Sequence, residues 1–188
     1  LAPATSARLF ADLSGFHYYT DGFGKVNLAR GFETYVLYRG ADDTLLGDGG
    51  ANTFISFAGE DLLDGRAGDD HLNGGLGNDS LIGGAGRDLL LGADDNDTLV
   101  GGADADQMTG GIGADEFRFN AGDGEDTITD FEVGNDRLVL VGQTIDSVVE
   151  LDGDGDGALD TRVLLSSGDT IDLLFVTGVS ASDLLLST

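Results

Sequence analysis

The chain has 188 residues, with 32 Gly, a single Pro, no Cys, and 35 acidic against 9 basic side chains, for a formal net charge of −26 at pH 7. That charge repels nucleic acid and anionic membranes, and it opposes any compact state unless cations are bound. Lack of Cys removes disulfides, zinc-thiolate sites and a cysteine nucleophile; one Pro excludes a collagen-like or Pro-rich chain, and 40% hydrophobic residues argue against a disordered acidic tail.

Residues 1–37 differ from the rest. The four tyrosines, Tyr18, Tyr19, Tyr35 and Tyr38, lie in or just beyond this stretch, together with Phe10, Phe16, Phe23 and Phe32. These aromatics are expected to cap the open end of whatever follows, with a partner or glycan surface as the alternative. The chain starts at Leu1 without a cationic and apolar leader pattern, and is expected to be part of a longer polypeptide.

From residue 38 a strict nine-residue register begins. It runs YRGADDTLL, GDGGANTFI, SFAGEDLLD, GRAGDDHLN, GGLGNDSLI, GGAGRDLLL, GADDNDTLV, GGADADQMT and GGIGADEFR, ending at 118. The sixth position is Asp43, Asn52, Asp61, Asp70, Asp79, Asp88, Asp97, Asp106 and Asp115 in turn. The eighth is apolar throughout: Leu45, Phe54, Leu63, Leu72, Leu81, Leu90, Leu99, Met108 and Phe117. Of the 35 acids, 29 are Asp and 6 are Glu, and Asp beside Gly predicts tight, oxygen-lined loops, since Asp favours turns and Glu helices.

A period of nine suits neither a helix nor a long alternating strand, but it suits a loop of six followed by a strand of three. Each unit is then half a coil. Glycines at the first, second and fourth positions predict a turn with positive φ, which Asp95 and Asp104 at the fourth position also tolerate. With two units per coil, Leu45, Leu63, Leu81, Leu99 and Phe117 stack in one parallel sheet, and Phe54, Leu72, Leu90 and Met108 in the other. Strands ~4.8 Å apart bring equivalent loops together. Carboxylates eighteen residues apart, such as Asp70 with Asp88, then require a hard divalent cation between them. Calcium accepts six to eight oxygens in flexible geometry, whereas magnesium demands a stricter octahedron; the absence of Cys and the two His (His17, His71) argue against softer metals.

The repeats resemble the GGxGxDxUx signature of the repeats-in-toxin (RTX), hemolysin-type calcium-binding family. The resemblance implies an all-β fold, a right-handed parallel β-roll with 18 residues per coil and capping β-strands at its C-terminus. It further implies several Ca²⁺ ions, each shared by position-six carboxylates of two stacked loops and by loop carbonyls. Those carbonyls belong to Gly65, Ala67, Gly74, Gly75, Leu76, Gly77, Gly83, Gly84, Ala85, Gly86, Gly92, Gly101, Gly102, Gly110 and Gly111. Departures from the signature are Asn52 at position six, Tyr38 and Ser56 at position one, and Ala41, Asp95 and Asp104 at position four. They weaken the expectation for the first ion sites and for those nearest Asp95 and Asp104.

A tenth unit, AGDGEDTIT (121–129), follows the two inserted residues Phe119 and Asn120, and Gly134 to Leu138 echo an eleventh. The run from Asp126 through Asp130-Phe131 to Asp136 and Leu140 resembles the DxIxDFxxGxDxIxL segment that closes the roll in serralysin-type secreted proteins. Asp126, Asp130 and Asp136 are therefore further candidate ligands. Residues 20–37 resemble the degenerate, Asp-poor coils that often precede such repeats, so 1–37 are assigned to an N-terminal cap or degenerate coils, the roll to 38–140 and a C-terminal β cap to 141–188. Within the cap, Asp152, Asp154, Asp156 and Asp160 form a DxDxDGxxD loop between the strand-like SVVEL and TRVLL. This is a second calcium motif with alternate-residue oxygens, to which the Ala158 carbonyl can add. With Val163 at the twelfth position it is no EF-hand, and an acidic hairpin turn is the plainer alternative. The end, SASDLLLST, resembles the uncleaved secretion signal of RTX proteins, with Asp183 ahead of apolar residues; a terminal strand is the alternative.

No catalytic constellation emerges. The two His cannot build HExxH, and the GxGxxG matches are by-products of the repeat. The expected function is a calcium-binding module that folds after type I secretion from a Gram-negative bacterium and stabilises an upstream secreted enzyme, outside the cell or on its surface. The expected partners are calcium, that upstream domain and the type I apparatus, with no nucleic acid and no membrane span. The alternative is a surface-layer or adhesin-type module for calcium-dependent assembly or for binding cell-surface polysaccharide.

Overall fold

In the computed structural model, the structure describes residues 25–27, 33–36, 40, 42–152, 155 and 157–185. Among them lie β1 (Lys25–Asn27), β2 (Glu33–Val36), β3 (Thr44–Leu46), β4 (Asn52–Ile55), β5 (Leu62–Ala67), β6 (His71–Leu76), β7 (Ser80–Ala85) and β8 (Leu89–Asp94). They continue with β9 (Thr98–Ala103), β10 (Gln107–Ile112), β11 (Glu116–Asn120), β12 (Glu125–Ile128) and β13 (Arg137–Val141). A meander of β14 (Ile145–Leu151), β15 (Asp160–Leu165) and β16 (Thr170–Leu173) and the short α1 (Ala181–Leu184) end the described chain.

Odd-numbered strands β1 to β13 form one sheet, and even-numbered strands β2 to β12 form the other, which β16, β15 and β14 extend. Alternation of consecutive strands between two parallel sheets is a β-solenoid of about 18 residues per turn. The register carries the sequence period into space. Leu63 pairs with Leu81 and Leu81 with Leu99, while Leu72 pairs with Leu90 and Leu90 with Met108. Every position-eight side chain from Leu45 to Phe117 has 0% exposure, so the two stacks meet as a single narrow core. One or two apolar side chains per strand suffice because each is walled by its copies one coil above and below.

The strands of the central coils are six residues long, not three. Positions one to three continue the ladder, as in the Gly84 with Gly102 and Ala85 with Ala103 pairs. Only positions four to six turn. The backbone amides of a solenoid lie one strand spacing from the next coil, so pairing continues past position two, where Arg66 (φ 73°) and Ala93 (φ 94°) already have positive φ, and stops only at the turn. Asp95 (φ 78°) and Asp104 (φ 85°) hold the positive φ of that turn at position four, where most other units have Gly.

The ends follow from insertions. Phe119, one of the two inserted residues, points inward and is buried. The last coil is accordingly wider, with Phe117 paired to Leu138 and Met108 to Ile128, and it admits Phe131, whose ring lies 6.1 Å from that of Phe117. β16 joins β12 in parallel, β15 and β14 follow antiparallel, and Val163, Leu165, Ile171, Leu173 and Leu184 close the core. β1 and β2 stack onto β3 and β4, carrying the roll upstream of residue 38. The proposed aromatic cap otherwise lies outside the described residues, as do 186–188. Ahead of them, Asp183 Oδ2 accepts the Ser180 amide at 2.7 Å, so the acidic residue before the terminal leucines starts a helical turn and not a strand.

The loop edges carry a second ladder that the repeat alignment had not singled out. Position-five oxygens accept the amide of the equivalent residue one coil on: Asp69 Oδ1 from Arg87 (2.9 Å), Asn78 Oδ1 from Asn96 (3.0 Å) and Asn96 Oδ1 from Ala114 (2.8 Å). These bonds are exposed. Asn96→Ala is expected to cost about 1 kcal/mol, read as a lower urea midpoint in saturating calcium, and an unchanged midpoint would show that water replaces the ladder.

Candidate metal sites of the roll

Position six ends each three-residue turn, and its side chain folds back under the loop. There Oδ1 accepts the backbone amide of the position-six residue one coil earlier: Asp70 from Asn52 (2.6 Å), Asp79 from Asp61 (2.8 Å), Asp88 from Asp70 (2.7 Å), Asp97 from Asp79 (2.7 Å), Asp106 from Asp88 (2.8 Å) and Asp115 from Asp97 (2.8 Å). Asp61 does the same to Asp43 (2.6 Å), and the longer last coil preserves the bond from Asp106 to Asp126 and from Asp115 to Asp136, both 3.0 Å. One column of carboxylates thus runs Asp61, Asp79, Asp97, Asp115, Asp136, and the other Asp70, Asp88, Asp106, Asp126. Asn52 heads the second column with a neutral amide, whose Oδ1 accepts the Asp48 amide at 3.2 Å.

The other oxygen has no such partner. In Asp61, Asp70, Asp79, Asp88, Asp97, Asp106 and Asp115, Oδ2 is buried without a hydrogen bond. A buried carboxylate oxygen left bare costs several kcal/mol, and seven in one small domain mark a missing positive charge. The electrostatics agree: burial, with repulsion from neighbouring carboxylates, pushes Asp70, Asp79 and Asp106 up to about 7, Asp88 and Asp115 to about 6, and Asp97 and Asp126 to about 8. Asp61 and Asp136 are raised for the same first reason, burial.

Position-one glycine keeps room beside that oxygen. A methyl group at Gly83 would collide with Asp88 Oδ2 and lie 2.6 Å from the Gly101 carbonyl oxygen, and one at Gly92 would meet Asp97 Oδ2 and lie 2.6 Å from the Gly110 carbonyl oxygen. Gly65, Gly74, Gly101 and Gly110 stand in the same relation to Asp70, Asp79, Asp106 and Asp115. The first-position glycine is therefore a gap and not a turn former, which corrects the expectation that it, too, needs positive φ. Beside Gly65, Gly83 and Gly92 the position-one carbonyl oxygen of the next coil lies close to the bare carboxylate oxygen. Among the described residues no three acidic or His side chains gather closely enough to hold a metal unaided, so backbone or water oxygens would complete an ion's shell. That donor set fits a hard cation of flexible coordination, namely calcium. Other carbonyls singled out above, those of Ala67, Gly75, Leu76, Gly77, Gly84, Ala85, Gly86, Gly102 and Gly111, lie at positions two to four around the same turns. Two of them also serve the solenoid: the Ala85 oxygen accepts Gly68 N, and the Leu76 oxygen accepts Gly59 N.

Three residues have uses that the sequence had not disclosed. At position one, Ser56 donates its hydroxyl to the Gly74 carbonyl at 2.6 Å, filling part of the gap that Gly keeps open elsewhere. Both oxygens of Asp130 accept from consecutive amides, Gly110 (2.9 Å) and Gly111 (2.8 Å), which latches the closing segment onto the roll. Asp136 Oδ2 likewise accepts the Glu132 amide at 2.8 Å.

The DxDxDGxxD motif occupies the connection between β14 and β15, as its flanking strands predicted, with Leu151 opposite Asp160. Asp154 and Asp156 lie outside the described residues. Asp152 is exposed and its Oδ1 accepts the Gly155 amide at 2.8 Å; Ala158 lies in the same loop. Asp160 is buried and its Oδ1 accepts the Phe175 amide at 2.9 Å, so it ties the hairpin into the cap, a role beyond the late loop carboxylate expected. Asp169, also not foreseen, accepts the Gly122 amide at 2.7 Å and pins the meander to the last coil; against the effect of burial, the Ser167 side chain and then backbone amides hold it below the ordinary carboxylate value.

Stacked loops with bare carboxylate oxygens, on a two-sheet parallel solenoid, define a calcium-binding β-roll. Residues 39–128 match the model for the RTX calcium-binding nonapeptide repeat in overlapping blocks, 39–72, 55–90, 64–99, 82–117 and 91–128. Residues 39–128 therefore carry RTX calcium-binding nonapeptide repeats, and these repeats bind several calcium ions. Such repeats are typical of type I secreted proteins, and the roll is a structural calcium-binding module, not a catalytic fold. No curated protein matches the chain in sequence. Similar solved structures include the extracellular lipase LipA from Serratia marcescens, at 14% identity and TM-score 0.39, covering 87% of this chain and 42% of the lipase. The AlgE6R3 subunit of the mannuronan C5-epimerase from Azotobacter vinelandii is similar at 23% identity and TM-score 0.34, with 78% of each chain covered. The chain thus spans less than half the length of that lipase. Among the described residues, no helix is long and apolar enough to cross a membrane.

Proposed function

We propose that the chain is a calcium-gated folding module of an exported protein: unfolded during export at low calcium, folded outside the cell, and there stabilising an enzyme domain upstream in the same polypeptide. The observation that carries this reading is the set of seven buried, unpartnered Oδ2 atoms. Without a cation, each opposes the fold that buries it. Calcium is held by Oδ2 of Asp61, Asp79, Asp97 and Asp115 along one edge and of Asp70, Asp88 and Asp106 along the other, with position-one carbonyls of adjacent coils. Asp43, Asn52, Asp126 and Asp136 stand at the ends of the two columns and complete the terminal sites. Because these sites do not exist in the unfolded chain, binding free energy becomes folding free energy. A site with a dissociation constant near 10⁻⁴ M contributes ~1.4 kcal/mol at ~10⁻³ M calcium, and five sites ~7 kcal/mol, comparable to a domain's whole stability. At cytosolic calcium the same sum is near zero, which suits passage through a type I channel of a Gram-negative cell.

The test is far-ultraviolet circular dichroism at neutral pH with calcium chelated and then restored. Loss and recovery of the β-sheet signal is expected; a signal indifferent to excess chelator would refute the reading. The upstream role is tested in the longer polypeptide, whose enzyme half-life at elevated temperature should shorten when calcium is withheld.

A further inference from the structure

Two fourth-position residues break the glycine rule with a carboxylate, and both fall in the centre of the roll. Asp95 and Asp104 hold positive φ, so the loop keeps its course despite the side chain. The Asp95 side chain reaches back to the preceding loop on its edge, where Oδ2 accepts the Gly77 amide at 3.2 Å. It therefore lies across the mouth between the loops that end in Asp79 and Asp97, both buried with a bare Oδ2. Its charge is felt by both. Asp104 holds the equivalent repeat position on the other edge, also with positive φ, and its charge is felt by Asp88 and Asp106, again buried with a bare Oδ2. The consensus Gly would leave each mouth open and uncharged.

We propose that Asp95 and Asp104 are rim carboxylates which raise the calcium affinity of the site beside each, making these the tightest sites of the roll. The inference rests on calcium occupying the loops as proposed above, and it reverses the expectation that departures from the signature weaken these sites. A cation between two stacked loops already meets two carboxylates, and a third negative charge at the mouth strengthens attraction without demanding a place in the inner shell, since calcium affinity rises with ligand charge count. The N-terminal end goes the other way: the neutral Asn52 and the Ser56 hydroxyl, which spans to the Gly74 carbonyl, remove charge and space.

The test is calcium titration by calorimetry and chelator competition on the whole chain and on Asp95→Asn, Asp104→Asn and Asp146→Asn. Asn tolerates positive φ and keeps an oxygen for the Gly77 amide, so the fold is preserved, and Asp95→Gly, which restores the consensus, guards against a residual folding effect. Asp146 is exposed on β14 and controls for net charge. The expected result is about a tenfold loss of affinity in the tightest class for each of Asp95→Asn and Asp104→Asn. Ion number and circular dichroism at saturating calcium should not change, nor should the affinities of Asp146→Asn. Unchanged or tighter binding in Asp95→Asn and Asp95→Gly overturns the proposal, as does an equal loss in Asp146→Asn. Absence of calcium binding by the unaltered chain would instead overturn the function on which it rests.

Discussion

In excess chelator the β-sheet signal is expected to be absent at pH 7.5 and to return in large part at pH 5, without calcium. Asp70, Asp79, Asp88, Asp97, Asp106 and Asp115 have ordinary values near 3.8 when unfolded and values of about 6 to 8 in the metal-free fold, raised first by burial. A raised folded value means that the fold binds more protons than the unfolded chain between these limits. Stability from protonation is therefore fully present below about pH 4 and is lost as pH rises through 6 to 8. A displacement of three units is worth about 4 kcal/mol per carboxylate, and several such groups outweigh the roughly 5–15 kcal/mol that holds a domain together. At pH 5 the proton does part of what calcium does at neutral pH: it neutralises the buried charge. The groups with lowered values, Asp169 and Asp183, lose their contribution only as pH falls below about 4, outside the window. The measurement is a chelated pH series of circular dichroism with urea midpoints. Metal-free stability that increases with pH between 5 and 7.5 would contradict the buried-carboxylate account. A corollary is that apparent calcium affinity weakens as pH drops below 6, because protons and calcium compete for the same oxygens.

Gly83→Ala is expected to cost more than any surface change and to remove calcium from its neighbourhood. The added methyl group would collide with Asp88 Oδ2 and sit 2.6 Å from the Gly101 carbonyl oxygen, in the space where the ion's ligands converge. Within an ordinary strand glycine to alanine is a small gain, because alanine restrains the unfolded chain by ~0.4–1 kcal/mol where the native conformation allows it. Here the methyl group displaces a bound cation and leaves the Asp88 carboxylate buried and bare, for a loss of about 4 kcal/mol in saturating calcium. Gly134→Ala separates space from backbone strain, since Gly134 has φ 87° but nothing near its added methyl group. If Gly83→Ala lowered the urea midpoint no more than Gly134→Ala, and bound as many ions as the unaltered chain, the first-position glycine would be a conformational residue and not a space holder.

Much of this architecture was legible along the chain because solenoid contacts are local copies. A residue's neighbours are itself eighteen positions earlier and later, so the unbroken series Leu45 to Phe117 and Asp61 to Asp115 could be converted directly into two stacks and two carboxylate columns. The alternation of sheets, the parallel pairing and the identity of the position-six column all follow from period nine. The closing strands were less legible. DxIxDF marked the end of the roll, but that Phe119 turns inward, that Asp130 latches onto Gly110 and Gly111, and that Asp160 ties to Phe175 depends on contacts between unlike segments, for which no repeat provides a template.

What the sequence alone determined is the register: which side chains face the core, which face the loops, and the need for a cation among so many aspartates. The division of labour inside each loop is set by the stacking of the coils. Each position-six carboxylate from Asp61 to Asp115 uses one oxygen for the coil before it and keeps the other bare, first-position glycine makes room where fourth-position glycine makes a turn, and Ser56 and Asp95 alter individual sites. Periodicity reports that positions are equivalent, but whether an oxygen is satisfied or a gap is filled depends on distances of a few ångströms between successive coils, and these exist only once the coils are stacked.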